Sequence, residues 1–326
     1  DAIWDEFRID LIPYMEDWFS STRLPAFLVG SVDAVNVLDG DQLKTMVKFK
    51  VSNTEDVEGI ISVEFRLGGG PGGRFGGRGG SPETITRLIH LEGNQTKEVS
   101  YLLSGTPRGA NINTLTSKNI PSEIRLPLDN IEEDKKAVPY EGESITDRPV
   151  RIAEDNEIIL DNEDPGFVVV GEDETSLLRK LLIKEEESTS KYSGFSSWRA
   201  PRNWTLTTHS SFYGAYIRSA YYLRSGEGDK VATWNVPIRE EGYYQVYAHI
   251  YKDEGRGRRG GDDGEYHFIV HHDDGDEAVE VDLKTTDEGW NLLGGYYFSP
   301  NTAAIELTNQ SSARMVVADA VKLIKQ

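Results

Sequence analysis

Apolar and polar residues alternate with a period of two along much of this chain, and no other feature limits its possible folds as strongly. Val47, Phe49 and Val51 alternate with Lys48, Lys50 and Ser52, and Ile61, Val63, Phe65 and Leu67 alternate with Ser62, Glu64 and Arg66. Successive side chains of a strand point to opposite faces, so stretches of this kind are half-buried strands of antiparallel sheets. Further candidates from Pro25 to Leu128 are Phe27 to Leu38, Thr84 to Leu91, Lys97 to Leu103 and Asn111 to Thr116. Six or seven short strands in roughly 100 residues, with turn residues between them, predict an immunoglobulin-like β-sandwich. The Cys and Trp hallmark of true immunoglobulin domains is absent, since the chain has 0 cysteines.

Alternation returns in the second half at Val231 to Trp234, Tyr243 to Ile250, Tyr266 to His271, Ala278 to Leu283, Gly295 to Phe298, Ala303 to Leu307 and Met315 to Leu323. These runs predict a second all-β sandwich, of jelly-roll or carbohydrate-binding-module type. Between the two, residues 129 to 190 hold 19 acids and 7 bases, which supplies −12 of the total charge of −20. That composition reads as a solvated connection, interrupted by a strand at Ile158 to Leu160 and a short element at Leu177 to Ile183. At the N-terminus, Ile3, Trp4, Phe7 and Leu11 form a stripe at helical period that Pro13 ends, and Trp18 and Phe19 continue the apolar face. The expected organisation is a helical tail over 1–24 belonging to a further upstream domain, an immunoglobulin-like sandwich over 25–130, an acidic linker over 131–154 and a second sandwich over 155–326.

Charge and composition exclude several functions. Thirty-five Lys and Arg against 55 Asp and Glu repel a phosphate backbone, so nucleic acid is not an expected partner. No run of about 18 apolar residues is available to span a bilayer, so direct membrane insertion is not expected. Without cysteine there is no disulfide, thiolate zinc site or thiol nucleophile. The glycine cluster at 68 to 80 reads as an extended hairpin loop, and Gly255, Gly257 and Gly260 spell a dinucleotide-type spacing without the strand before it or the helix after it that such a site needs.

Chemistry is sparse. No HExxH, GxSxG or phosphate-binding loop occurs, and the six histidines are scattered, so no catalytic residue, metal or cofactor is assigned. The weak metal candidates are Asp161 and Asp164, in an acidic turn before Pro165 and Gly166 that side-chain to backbone bonds explain equally well, and His267, His271 and Asp273, which share one face of a strand. Asp319 stands in the apolar run Val316 to Val321, where alternation buries it with Val317 and Val321. It is therefore expected to be structural, with hydrogen-bond partners whose loss costs about 1 to 3 kcal/mol. The second half is also rich in Tyr and Trp, and Tyr213, Tyr216, Trp234 and Tyr244 are the candidates for stacking on sugar faces, with burial in the core as the competing reading.

Three stretches of the second half together resemble the golvesin C-terminal-like domain, also described as a xanthan-lyase-type carbohydrate-binding-like module. They are Asp161 to Phe167, the region from Tyr213 to Trp234 with Gly242 to Tyr247, and Gly289-Trp290 with Leu293-Gly294 leading to Val317 to Val321. Residues 1 to 130, through Asp17-Trp18-Phe19, Leu24-Pro25, Val51 to Asn53, Glu58-Gly59 and Asn113 to Pro121, are similar to the region behind the catalytic domain in bacterial M1-type (gluzincin) aminopeptidase-like proteins. Together the resemblances imply a non-catalytic, extracytoplasmic accessory region of a bacterial envelope protein. Its second sandwich would bind polysaccharide or a surface protein, and its other partners would be upstream domains of the same polypeptide. The alternatives are a purely structural spacer and a hydrolase with a site between the domains.

Overall fold

A computed structural model describes residues 23–67, 83–126, 128, 131–134, 136–170, 191–252 and 264–326. No helix occurs among the described residues, and all their regular structure is β-strand in several, mostly antiparallel, sheets. The expected N-terminal helix, the glycine loop at 68 to 80, the Leu177 to Ile183 element and the loop through Gly255, Gly257 and Gly260 lie outside the described residues. The chain divides into two compact units, one of residues 1–152 with 215–217 and one of residues 153–214 with 218–326.

The first unit packs one sheet on another. The larger sheet carries β1 (Phe27–Asp39), β2 (Gln42–Asn53), β5 (Thr96–Leu103), β8 (Glu132–Glu133) and β9 (Gly142–Thr146) in the order β8-β1-β2-β5-β9. The other carries β3 (Gly59–Leu67), β4 (Thr84–Leu91), β6 (Pro107–Asn113) and β7 (Glu123–Leu126) in the order β4-β3-β6-β7. Inward residues of the alternating strands meet in one core, with Val47, Phe49 and Val51 from β2 and Ile61, Val63 and Phe65 from β3. Gly40, at φ 63°, makes the tight β1 to β2 turn in the left-handed region that favours glycine.

The segment expected as an acidic linker is different in the structure. Residues 132–133 pair with β1 in parallel, and Gly142–Thr146 pairs with β5 as an edge strand. Its charge is compatible with a strand because an edge leaves most side chains in water, and Glu143 meets Lys97 at 2.8 Å. A run dense in acids therefore marks a solvated sheet edge.

Asn119 closes the first unit at the start of β1. Its side chain accepts from Phe27 N at 2.9 Å and donates to Phe27 O at 2.8 Å while 3% exposed. Asn119→Ala should leave both backbone groups unpaired and cost about 2 kcal/mol. Urea unfolding that shows no change in that variant would contradict this reading.

In the second unit one sheet contains β10 (Glu157–Asp161), β15 (Gly242–Ile250), β18 (Gly289–Phe298) and β21 (Ala320–Lys325) in the order β10-β21-β15-β18. A second has β11 (Phe167–Val170), β14 (Val231–Asn235), β16 (Glu265–His272), β17 (Gly275–Asp282) and β19 (Ala304–Thr308) in the order β11-β14-β19-β16-β17. A third, smaller sheet joins β12 (Thr205–Thr208), β13 (Ser219–Arg224) and β20 (Met315–Ala318). Trp234, Val246, Phe268, Ile305, Leu307 and Val321 belong to the common core.

The run from Met315 to Leu323, expected as one strand, is two. β20 pairs with β13, whereas β21 pairs with β10 and β15, and Asp319 is the residue between them. Every residue from Met315 to Val321 is buried, so alternation fails here because the chain is covered on both sides as it passes from one sheet to another.

Candidate functional site

Alternation on β15 sends Tyr244, Val246, Ala248 and Ile250 into the core and turns Tyr243, Gln245, Tyr247 and His249 outward. Residues directly opposite on neighbouring strands share a face, so the register extends this outer row across the sheet. Tyr243 lies opposite Tyr297, Tyr247 opposite both Leu292 and Lys322, and His249 opposite Trp290. On the far side Ile159 lies opposite Lys322, and Glu157 opposite Ile324. Between Val246 and Tyr247 the register shifts, with Leu293 as the extra residue of β18. Leu293 turns into the core, which keeps Trp290 and Leu292 on the same outer face as Tyr297.

The outer face is therefore aromatic although it is not core. Tyr243 is 64% exposed and Leu292 55% exposed, and Tyr247, Trp290 and Tyr297 are half-buried. Tyr243 and Tyr297 meet edge to face with centroids 5.2 Å apart. Trp290 meets His249 at 5.1 Å and Tyr213 at 5.0 Å, both edge to face. Gly295 stands opposite Gln245, and a Cβ there would find nothing nearer than 4.0 Å, so the row is open between Tyr297 and Leu292.

One end of this face rests on a buried polar cluster. Asp319, 1% exposed, holds His249 Nδ1 at 2.8 Å through Oδ2 and accepts the backbone N–H of Tyr213 at 3.2 and 3.1 Å on its two oxygens. Burial raises the Asp319 pKa, and the neighbouring imidazole pulls it back down. Asp161 is pushed up to about 9 by burial, with Asp319 and then Asp164 and Glu163 adding repulsion. The Asn162 amide, oriented to satisfy both of its ends, donates to Asp161 Oδ1 at 2.7 Å and to Ser219 O at 2.6 Å. Burial and then the Asp161 charge raise the Tyr213 phenol, and burial lowers the Arg218 pKa.

The cluster offers two neighbouring carboxyls, both with raised pKa values. Asp319 is sealed from solvent and spends both oxygens on Tyr213 N and His249. It has no open side from which to attack a sugar or activate a water. The arrangement is a scaffold for the loop carrying Tyr213 and for the orientation of His249.

The sequence candidates are dispersed. Trp234 is 1% exposed in the core, packed on Phe167 at 5.2 Å, and Tyr244 is 3% exposed with its hydroxyl donating to Glu240 O at 2.7 Å. Tyr216 belongs to the first unit, its hydroxyl 2.9 Å from Thr54 Oγ1. Tyr213 is at the margin of the outer face. Of the metal candidates, Asp164 accepts Asp161 N at 2.8 Å as the turn requires. His271 meets Asp276 at 2.6 Å and Glu306 at 3.5 Å, and His267 meets Glu265 at 3.7 Å. Asp273 accepts from Ser299 and Thr302, which hold its pKa low. Among the described residues no group of three or more His, Asp or Glu is arranged to hold a metal.

Tyr243, Tyr247, Trp290 and Tyr297 of the outer face belong to the Tyr- and Trp-rich second half but are not among the four stacking candidates taken from the sequence, and Lys322 is not singled out there either. The signal that could have found the two on β15 is parity: once Val246 and Ala248 are assigned to the core, Tyr243 and Tyr247 must face out. The register of β18 and β21 then adds the other three.

Fold and site together define a class, a β-sandwich with an aromatic outer sheet face. Residues 191–325 match the family model of the Golvesin C-terminal domain. A Paenibacillus xanthan lyase structure is similar at 19% identity over 94% of this chain and 26% of that one, with a TM-score of 0.35. A Bacteroides uniformis beta-glucuronidase is similar at 10% identity over 93% of this chain and 30% of that one, with a TM-score of 0.23. The chain thus spans about a third or less of these solved structures. A search of curated proteins found no match.

Proposed function

We propose that the second unit is a non-catalytic polysaccharide-binding sandwich, and that it binds through the outer face of the β10-β21-β15-β18 sheet. The observation that carries this reading is the row of Tyr243, Tyr247, Trp290 and Tyr297, set on paired strands and pointing away from the core. Flat rings of this kind stack on the C–H face of a sugar while their polar tips stay hydrated. The match of residues 191–325 to the Golvesin C-terminal domain supports an accessory role. Within the same proposal the whole chain is an extracytoplasmic accessory part of a bacterial peptidase-like envelope protein, a reading supported by the resemblance of residues 1 to 130. Sequencing upstream in the parent gene tests that part, since an HExxH with a downstream Glu is expected.

Calorimetry of the full chain against soluble polysaccharides tests the binding. Tyr243→Ala with Tyr297→Ala should weaken binding at least about tenfold, or about 1.4 kcal/mol, with little change in melting temperature because neither ring is in the core. Binding that ignores the loss of both rings would move the site away from this face, and no binding to any polysaccharide would leave the second unit as a structural spacer.

A further inference from the structure

Lys322 stands near the middle of the aromatic face, and its surroundings say which glycans suit it. Its Nζ lies 4.9 Å from the Trp290 ring centre and 5.4 Å from that of Tyr247. Among the described residues the carboxylate oxygen beside it is Glu157 Oε1 at 3.6 Å, close enough for attraction and too far for a good hydrogen bond. Glu157 uses its other oxygen to accept Glu154 N at 3.1 Å. An ammonium with N–H groups to donate and a carboxylate oxygen with lone pairs to offer thus sit side by side, next to two rings.

We propose, resting on the glycan-binding reading, that Lys322, which covers one side of the Tyr247 and Trp290 rings, and Glu157 beside it read a vicinal diol of a neutral sugar lying across this aromatic face. One hydroxyl accepts a hydrogen bond from Lys322 Nζ, and its neighbour donates one to Glu157 Oε1. A uronate or sulfate placed against Lys322 would meet the Glu157 carboxylate at the same moment. It would also approach a chain of net charge −20. A cationic sugar would meet the ammonium. A neutral hydroxyl pair satisfies both groups at once without burying an unpaired charge.

The full chain is titrated with neutral probes (mixed-linkage β-glucan, galactomannan, dextran) and acidic ones (alginate, and polygalacturonate beside its carboxyl-reduced form). Neutral polymers should bind at least about tenfold tighter than acidic ones, and carboxyl reduction should convert polygalacturonate from a poor ligand to a better one. Periodate oxidation, which cleaves vicinal diols, should remove binding of the neutral polymer, a control that alters no residue of the protein. Lys322→Gln and Glu157→Gln should each weaken neutral binding about tenfold. Tighter binding of the acidic polymers, or neutral binding unchanged in both Lys322→Gln and Glu157→Gln, overturns the diol and leaves the aromatic platform standing, whereas neutral binding that survives periodate, which also opens the sugar ring, overturns both. No binding to any polymer overturns both.

Discussion

Asp319→Ala should lower the unfolding free energy by about 3 kcal/mol, a large part of the margin on which a domain of this size rests. The carboxylate is 1% exposed and serves two partners, the Tyr213 backbone N–H and His249 Nδ1. Truncation strands that N–H in a region closed to water and leaves a half-buried imidazole without its acceptor, and losses of this kind cost more than the bonds themselves contributed. Position adds to the effect, because Asp319 is the residue at which the chain leaves the sheet of β20 for that of β21. Asp319→Asn keeps the shape and one acceptor and should recover about half of the loss. With two units in the chain, thermal scans should show the transition of the second unit moving and that of the first in place. A shift below about 1 kcal/mol for Asp319→Ala would mean that solvent reaches the site.

Much of this fold is legible because strands announce themselves by period. Thr84–Leu91 is β4 as predicted, and β2, β3, β5, β14, β15 and β16 fall within a few residues of their alternating runs. The identity of the face that turns outward is harder to read. In Gly242 to Tyr247, parity separates Tyr244 from Tyr243 and Tyr247, yet a choice guided by local richness in tyrosine takes the buried ring. Trp234 misleads for a related reason: a large amphipathic ring suits a sugar platform and a core equally, and only its place opposite the fully buried Ile305 of β19 decides for the core. The partners of Asp319 are beyond reach, since His249 and Tyr213 are 70 and 106 residues away. The acidic stretch is a poor linker signal because charge density reports solvation, and an edge strand is solvated.

Asp161→Asn should flatten the pH dependence of stability and make the chain more stable than wild type near pH 8. In the folded chain this carboxyl is pushed up to about 9, first by burial and then by Asp319, Asp164 and Glu163 around it. In the unfolded chain it titrates with ordinary carboxylates near about 4. Between those values the folded state holds a proton that the unfolded state has released, so stability falls as pH rises, by at most about 1.4 kcal/mol per pH unit. Solvent relaxation around the group reduces this, and roughly 2 kcal/mol is the expected loss between about pH 5 and about pH 8. Asp319, whose pKa burial also raises, works in the same direction, which is why the readout is the difference between wild type and Asp161→Asn at each pH. The amide retains an acceptor for Asn162 N, which approaches at 2.7 Å, and carries no charge to repel Asp319. Urea midpoints for the two proteins should therefore converge at low pH and separate above it. Parallel profiles across the whole range would show that Asp161 ionises in the folded chain as readily as in the unfolded one.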